Sequence, residues 1–101
     1  MILHTVNKSP FERNALNSCL GHAQNGSAVL MIEDGVYGAM AGTQMSATVS
    51  AALSKAKVYV LGPDLAARGI AEDKVLAGVQ VVDYGGFVDL VAENATVQAW
   101  L

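Results

Sequence analysis

Ala28-Val29-Leu30-Met31-Ile32 runs without a polar break into Glu33-Asp34-Gly35, and Val58-Tyr59-Val60-Leu61 runs in the same way into Gly62-Pro63-Asp64. Short apolar runs bounded by charged turns suit strands covered on both faces, the condition met in parallel sheets. In open α/β sheets, ligands and partners meet the carboxyl ends of such strands. The two acidic turns therefore mark the edge of the molecule where function is expected.

The rest of the chain supplies the alternation that such a sheet needs. Ile2 to Val6 reads as a first strand. Ser9-Pro10-Phe11-Glu12 combines a serine cap, proline at the first helical position and glutamate at the third, which predicts a helix starting at Ser9. Leu16, Cys19, Leu20 and Ala23 form its apolar face, and Asn25-Gly26 stops it. Beyond the second strand, Asp34 is placed to cap a short helix through Val36, Tyr37 and Met40 that Gly42 closes. Ser46 is placed to cap another over Thr48 to Ser54, with Val49 and Leu53 inward.

Asp64 to Gly69 reads as a helical turn ended by glycine, and Val79 to Val82 as a short strand. Phe87, Leu90 and Val91 mark an amphipathic helix. The tail from Thr96 ends in Trp100-Leu101, which is costly to leave in water. Strands and helices alternating over short connections predict an α/β fold, a small flavodoxin-like three-layer domain over residues 1–101 with a mostly parallel sheet of about four to five strands. No repeat, low-complexity segment or linker suggests a second domain.

With 52% hydrophobic and 15% charged residues in 101, the chain is expected to keep apolar side chains at its surface, as oligomeric partners do. Its net charge is −3, and Lys8, Arg13, Lys55, Lys57, Arg68 and Lys74 form no cluster, so direct nucleic-acid binding is not expected. No apolar run approaches the roughly 20 residues that span a bilayer, and the first residues carry no basic leader. The expectation is a soluble cytoplasmic protein with no membrane association. A lone cysteine, Cys19, agrees with a reducing compartment.

Cys19 is the one side chain here that could accept or pass sulfur. It lies well into its helix, beyond the reach of the helix dipole's first turn, so packing as a small hydrophobe competes with chemistry. His22, three residues on, could touch it. Zinc needs three or four ligands and His4 is the only other histidine, so no metal is expected. Glu33 and Asp34 are adjacent rather than paired across a cleft, and Gly35, Gly38, Gly42, Gly85 and Gly86 lack the spacing of a phosphate loop, so no cofactor is expected. Asp34, Tyr37 and Trp100 are interface candidates. Composition alone also permits a homo-oligomeric module that binds a small ligand at the Asp34 and Asp64 turns.

Taken in order, Leu3-His4-Thr5 with Asn7-Lys8-Ser9-Pro10-Phe11, then Ile32-Glu33-Asp34-Gly35-Val36-Tyr37, Val58-Tyr59-Val60-Leu61, Asp64, Ala67-Arg68-Gly69, Asp83-Tyr84, Phe87-Val88, Leu90 and Trp100 resemble the DsrH/TusB family of small sulfur-relay subunits. The resemblance implies a DsrE-like fold in a cytoplasmic heterohexamer with DsrE/TusD-like and DsrF/TusC-like subunits. Such complexes pass persulfide sulfur onward to a carrier of the DsrC/TusE kind. It also implies that the principal sulfur-carrying cysteine belongs to the DsrE/TusD partner, leaving this chain mainly architectural. Cys19 matches a cysteine of DsrH-type members, which together with the Thr5-Val6-Asn7-Lys8-Ser9-Pro10-Phe11 segment favours a role in sulfur oxidation. The relay for tRNA wobble-uridine 2-thiolation, served by TusB-type members, is the runner-up.

Overall fold

The computed structural model describes residues 1–101. Strands β1 (Ile2–Val6), β2 (Ala28–Met31), β3 (Lys57–Leu61), β4 (Gln80–Val82) and β5 (Thr96–Trp100) form one sheet in the order β4-β3-β2-β1-β5, with every neighbouring pair parallel. Helices α1 (Ala15–His22), α2 (Ser46–Ala52), α3 (Gly62–Ala67) and α4 (Tyr84–Glu93) connect them, and a 3₁₀ helix spans Glu33–Ala39. The expected three-layer α/β fold is therefore present, with the tail from Thr96 forming the fifth strand.

Crossovers between parallel strands are right-handed, so the direction of each step decides which face its helix covers. From β1 to β4 the chain steps one way across the sheet, which places α1, α2, α3 and the 3₁₀ helix on one face. The last step returns to the far side of β1 and puts α4 alone on the other. Side-chain alternation matches this division. Val29 and Met31 of β2 join a cluster of 17 buried residues with Leu16, Val36, Val49 and Leu65, while Ala28 and Leu30 join Leu3 and Leu90 in a cluster of four.

Several local expectations are corrected. The Ser9 turn forms, since Glu12 and Arg13 N–H groups donate to its carbonyl and Phe11 N–H to its hydroxyl. The helix nevertheless begins at Ala15, because Asn14 sits at φ −90°, ψ 9°, outside the helical well and without a capping side-chain bond. Ser46 does not cap α2. Its hydroxyl accepts from Thr43 N–H (3.0 Å) and donates to the Met40 carbonyl (3.2 Å), closing the preceding loop. Asp34 caps nothing either, being turned toward Arg68. Of the trio that marks α4, Phe87 and Leu90 pack on the sheet and Val91 is 41% exposed.

Gly35 and Gly38 are needed for close packing rather than for binding phosphate. A Cβ at Gly35 would overlap the Val6 carbonyl, and one at Gly38 would press on the Leu16 side chain. The 3₁₀ helix can lie across the end of β1 only because both positions are bare. Gly69, at φ +69°, turns the chain away after α3.

Candidate functional site

The two acidic turns at the carboxyl ends of β2 and β3 form a single network. Arg68, just past α3, donates from Nε and Nη2 to Asp34 Oδ1, both at 2.9 Å, and from Nη1 to the Asp64 carbonyl at 3.3 Å. Asp64 Oδ2 in turn accepts the Glu33 N–H at 2.6 Å. Glu33 is the one non-glycine residue in the left-handed region, at φ 51°. Held there by Asp64, it lets β2 turn sharply into the 3₁₀ helix at the expense of backbone strain. The sheet edge where a ligand was expected is thus closed by internal bonds, with the Asp34 side chain still 55% exposed.

A shallow groove of about 780 Å³, sharing no residue with this network, runs between Pro10-Phe11 and Gly42-Thr43-Gln44-Met45. It shares Asn17 and Thr48 with a second depression of about 270 Å³ between α1 and α2, which ends at Lys55. Its polar groups are amides, hydroxyls and one ammonium. No general base, nucleophile or oxyanion set is assembled there, and nowhere in the chain do three His, Cys, Asp or Glu side chains converge in a way that could hold a metal.

Cys19 lies in the larger core with no exposed surface. Desolvation pushes its thiol up to about 12, against a smaller opposing pull from the Lys55 charge. A thiol held so far above neutral pH stays protonated, so the closed chain presents no thiolate nucleophile. His22 does not activate it. Its Nδ1 bonds the Ser18 carbonyl at 2.7 Å, and its ring lies 5.7 Å from that of Trp100.

Trp100 is docked on its own domain. Its Nε1–H donates to His4 Nδ1 at 3.1 Å across the β1–β5 pairing, and burial lowers the His4 pKa. Tyr37 is half-buried in the 3₁₀ helix. The structure therefore brings Asp34 together with Asp64 and Arg68. Cys19 is kept apart in the core, and Trp100 sits on the edge strand. The α4 side of the sheet, where most of the exposed large apolar side chains lie, did not emerge from the sequence as a site. Two signals for it were present, the lack of any basic residue after Lys74 and the helical spacing of Tyr84, Val88 and Val91.

Fold and site together define a small parallel α/β protein whose one thiol is sealed in its core and whose sheet is unequally covered. The family model described as DsrH like protein matches residues 8–97. Protein TusB of Pectobacterium parmentieri is 35% identical over 99 residues, covering 98% of this chain and 100% of that protein. Protein TusB of Erwinia tasmaniensis is 37% identical over 100 residues at the same coverage. Among solved structures, the ychN protein of E. coli superposes with a TM-score of 0.82 at 14% identity, covering 97% of each chain. A protein of unknown function from Methanobacterium thermoautotrophicum gives 0.75 at 20%, covering 97% of this chain and 96% of its own; both likenesses concern the fold. The chain belongs to the DsrH family, together with the proteins named TusB.

Proposed function

We propose that this chain is an architectural subunit of a sulfur-relay complex of the TusB kind, which serves 2-thiolation of the tRNA wobble uridine. The observation that carries this is the end-to-end match to proteins named TusB, at 35% and 37% identity over 98% of the chain. Sulfur oxidation, which the resemblance favours on Cys19 and the segment from Thr5 to Phe11, loses the support of Cys19, because a cysteine in the core is explained by packing without any chemistry.

In persulfide transfer an acceptor thiolate attacks the outer sulfur of a donor persulfide. A new S–S bond forms, the old one breaks, and the donor leaves as a thiolate. Cys19, buried and held neutral, can do neither half of this without local opening. The carrying cysteine then belongs to a TusD-like companion. A TusC-like subunit completes the cytoplasmic heterohexamer, and a TusE-like protein takes the sulfur onward. The whole chain acts as one domain in this assembly.

Deleting the gene and measuring 2-thiouridine in bulk tRNA by mass spectrometry tests this. Thiolation is expected to fall and to be restored by wild type and by Cys19→Ser alike. Unchanged thiolation in the deletion contradicts the tRNA role. Failure of Cys19→Ser at normal protein level contradicts the architectural one.

A further inference from the structure

Charge and exposed apolar surface gather in the same layer. Residues 1–74 hold all six basic side chains and six of the nine acidic ones, and so balance. Residues 75–101 hold Asp83, Asp89 and Glu93 with no lysine, arginine or histidine, and Lys57 of β3, beside Glu93 and Leu90, is the one base on the α4 face, so that layer keeps an acidic excess of two. All three carboxylates are exposed.

Tyr84, Val88 and Val91 are 61%, 66% and 41% exposed, and their spacing puts them in one stripe along α4. Val97 pairs with Leu3, so it and Met1 share the α4 face of the sheet, where they are 46% and 56% exposed. Leu101, at 81%, continues past β5, which leaves Phe11 as the one large exposed apolar residue elsewhere. Five strands at about 4.8 Å spacing measure about 19 Å between the outer axes, whereas one helix is about 10 Å across. A lone α4 therefore covers about half of its face.

We propose that the α4 and β5 face docks an amphipathic helix from a different chain, with basic residues along that helix's polar side. A second copy does not suit this face. A symmetric contact would bring a face with three carboxylates and one lysine against itself, so that two acidic excesses meet. An anionic membrane or a nucleic acid would be repelled. The proposal deepens the relay-subunit assignment and rests on it only for which companion brings the helix.

The test uses the intact chain and two synthetic helical peptides of about 18 residues with the same leucine stripe, one carrying lysine and the other glutamate on the polar side. The lysine peptide is expected to bind one to one, more weakly as salt rises, and the glutamate peptide not to bind. Val88→Asp/Val91→Asp should weaken binding by about tenfold or more, while Phe11→Asp leaves it unchanged. Asp89→Asn/Glu93→Gln, which spares the packing, should weaken it by about threefold and flatten the salt dependence. Equal binding of both peptides, indifference to the Val88/Val91 or Asp89/Glu93 changes, or dimerisation of the chain alone through this face would overturn the proposal. Because no companion enters the experiment, its failure is distinct from failure of the relay assignment.

Discussion

The two faces of the sheet are built to different standards. Toward α1, α2 and α3, 17 buried residues form a continuous core that includes Leu16, Cys19, Val49 and Leu65. Toward α4, four do, and the helix meant to shield them leaves Tyr84 and Val88 in water. Such a face is unusual on a free monomer, where large contiguous apolar patches are rare. The chain therefore buries most of its core on one side of the sheet and leaves apolar side chains of the other in water.

The largest effects should come from the first side. Leu16→Ala is expected to lower unfolding free energy by about 4 kcal/mol and Leu90→Ala by about 2 kcal/mol in denaturant titrations. Equal losses would erase the distinction between the faces. Cys19→Ser, which buries a hydroxyl in an apolar site, should lose about 1 to 2 kcal/mol. In the wild type, thiol reagents should modify Cys19 only through opening, at least about 10³ times more slowly than in denaturant. Rapid native labelling would mean that the core is not sealed.

At the carboxyl edge the expected sign reverses. Glu33→Gly removes a side chain from a left-handed backbone position and should raise stability by about 1 kcal/mol. A loss would show that the Glu33 side chain makes contacts worth more than the strain. His4 adds a pH dependence. Burial lowers its folded pKa, so the unfolded chain binds the extra proton first. Its contribution should be complete above about pH 6.5 and be lost as pH falls below that toward the folded value. His4→Gln should remove this slope. The smallest effect belongs to the open face, where Val88→Ala should change stability by less than about 0.5 kcal/mol.

What the sequence made legible follows from which interactions are local. The apolar runs at Ala28 and Val58 announced buried parallel strands because both faces of a strand must then be apolar, and the spacing of Leu16, Cys19 and Leu20 placed the thiol inward. Ser46 closes its own preceding loop through Thr43 and Met40, whereas Asp34 is drawn from its helix by a distant partner. Asp34 pairs with Arg68, 34 positions away, and Asp64 supplies the bond to Glu33 N–H from 31 positions away. No local pattern encodes either. Helical periodicity identifies an apolar stripe without saying whether this protein or another one covers it. Tyr84, Val88 and Val91 form such a stripe, and it faces water.

An architectural member of a mixed complex should be recovered together with its companions. Native mass spectrometry of the tagged protein, purified from its own cells at modest salt, tests this most directly. The expected result is a particle holding this chain in equal amounts with companion chains of similar size, one of which carries the persulfide. A monomer or homo-oligomer with no companions would contradict it.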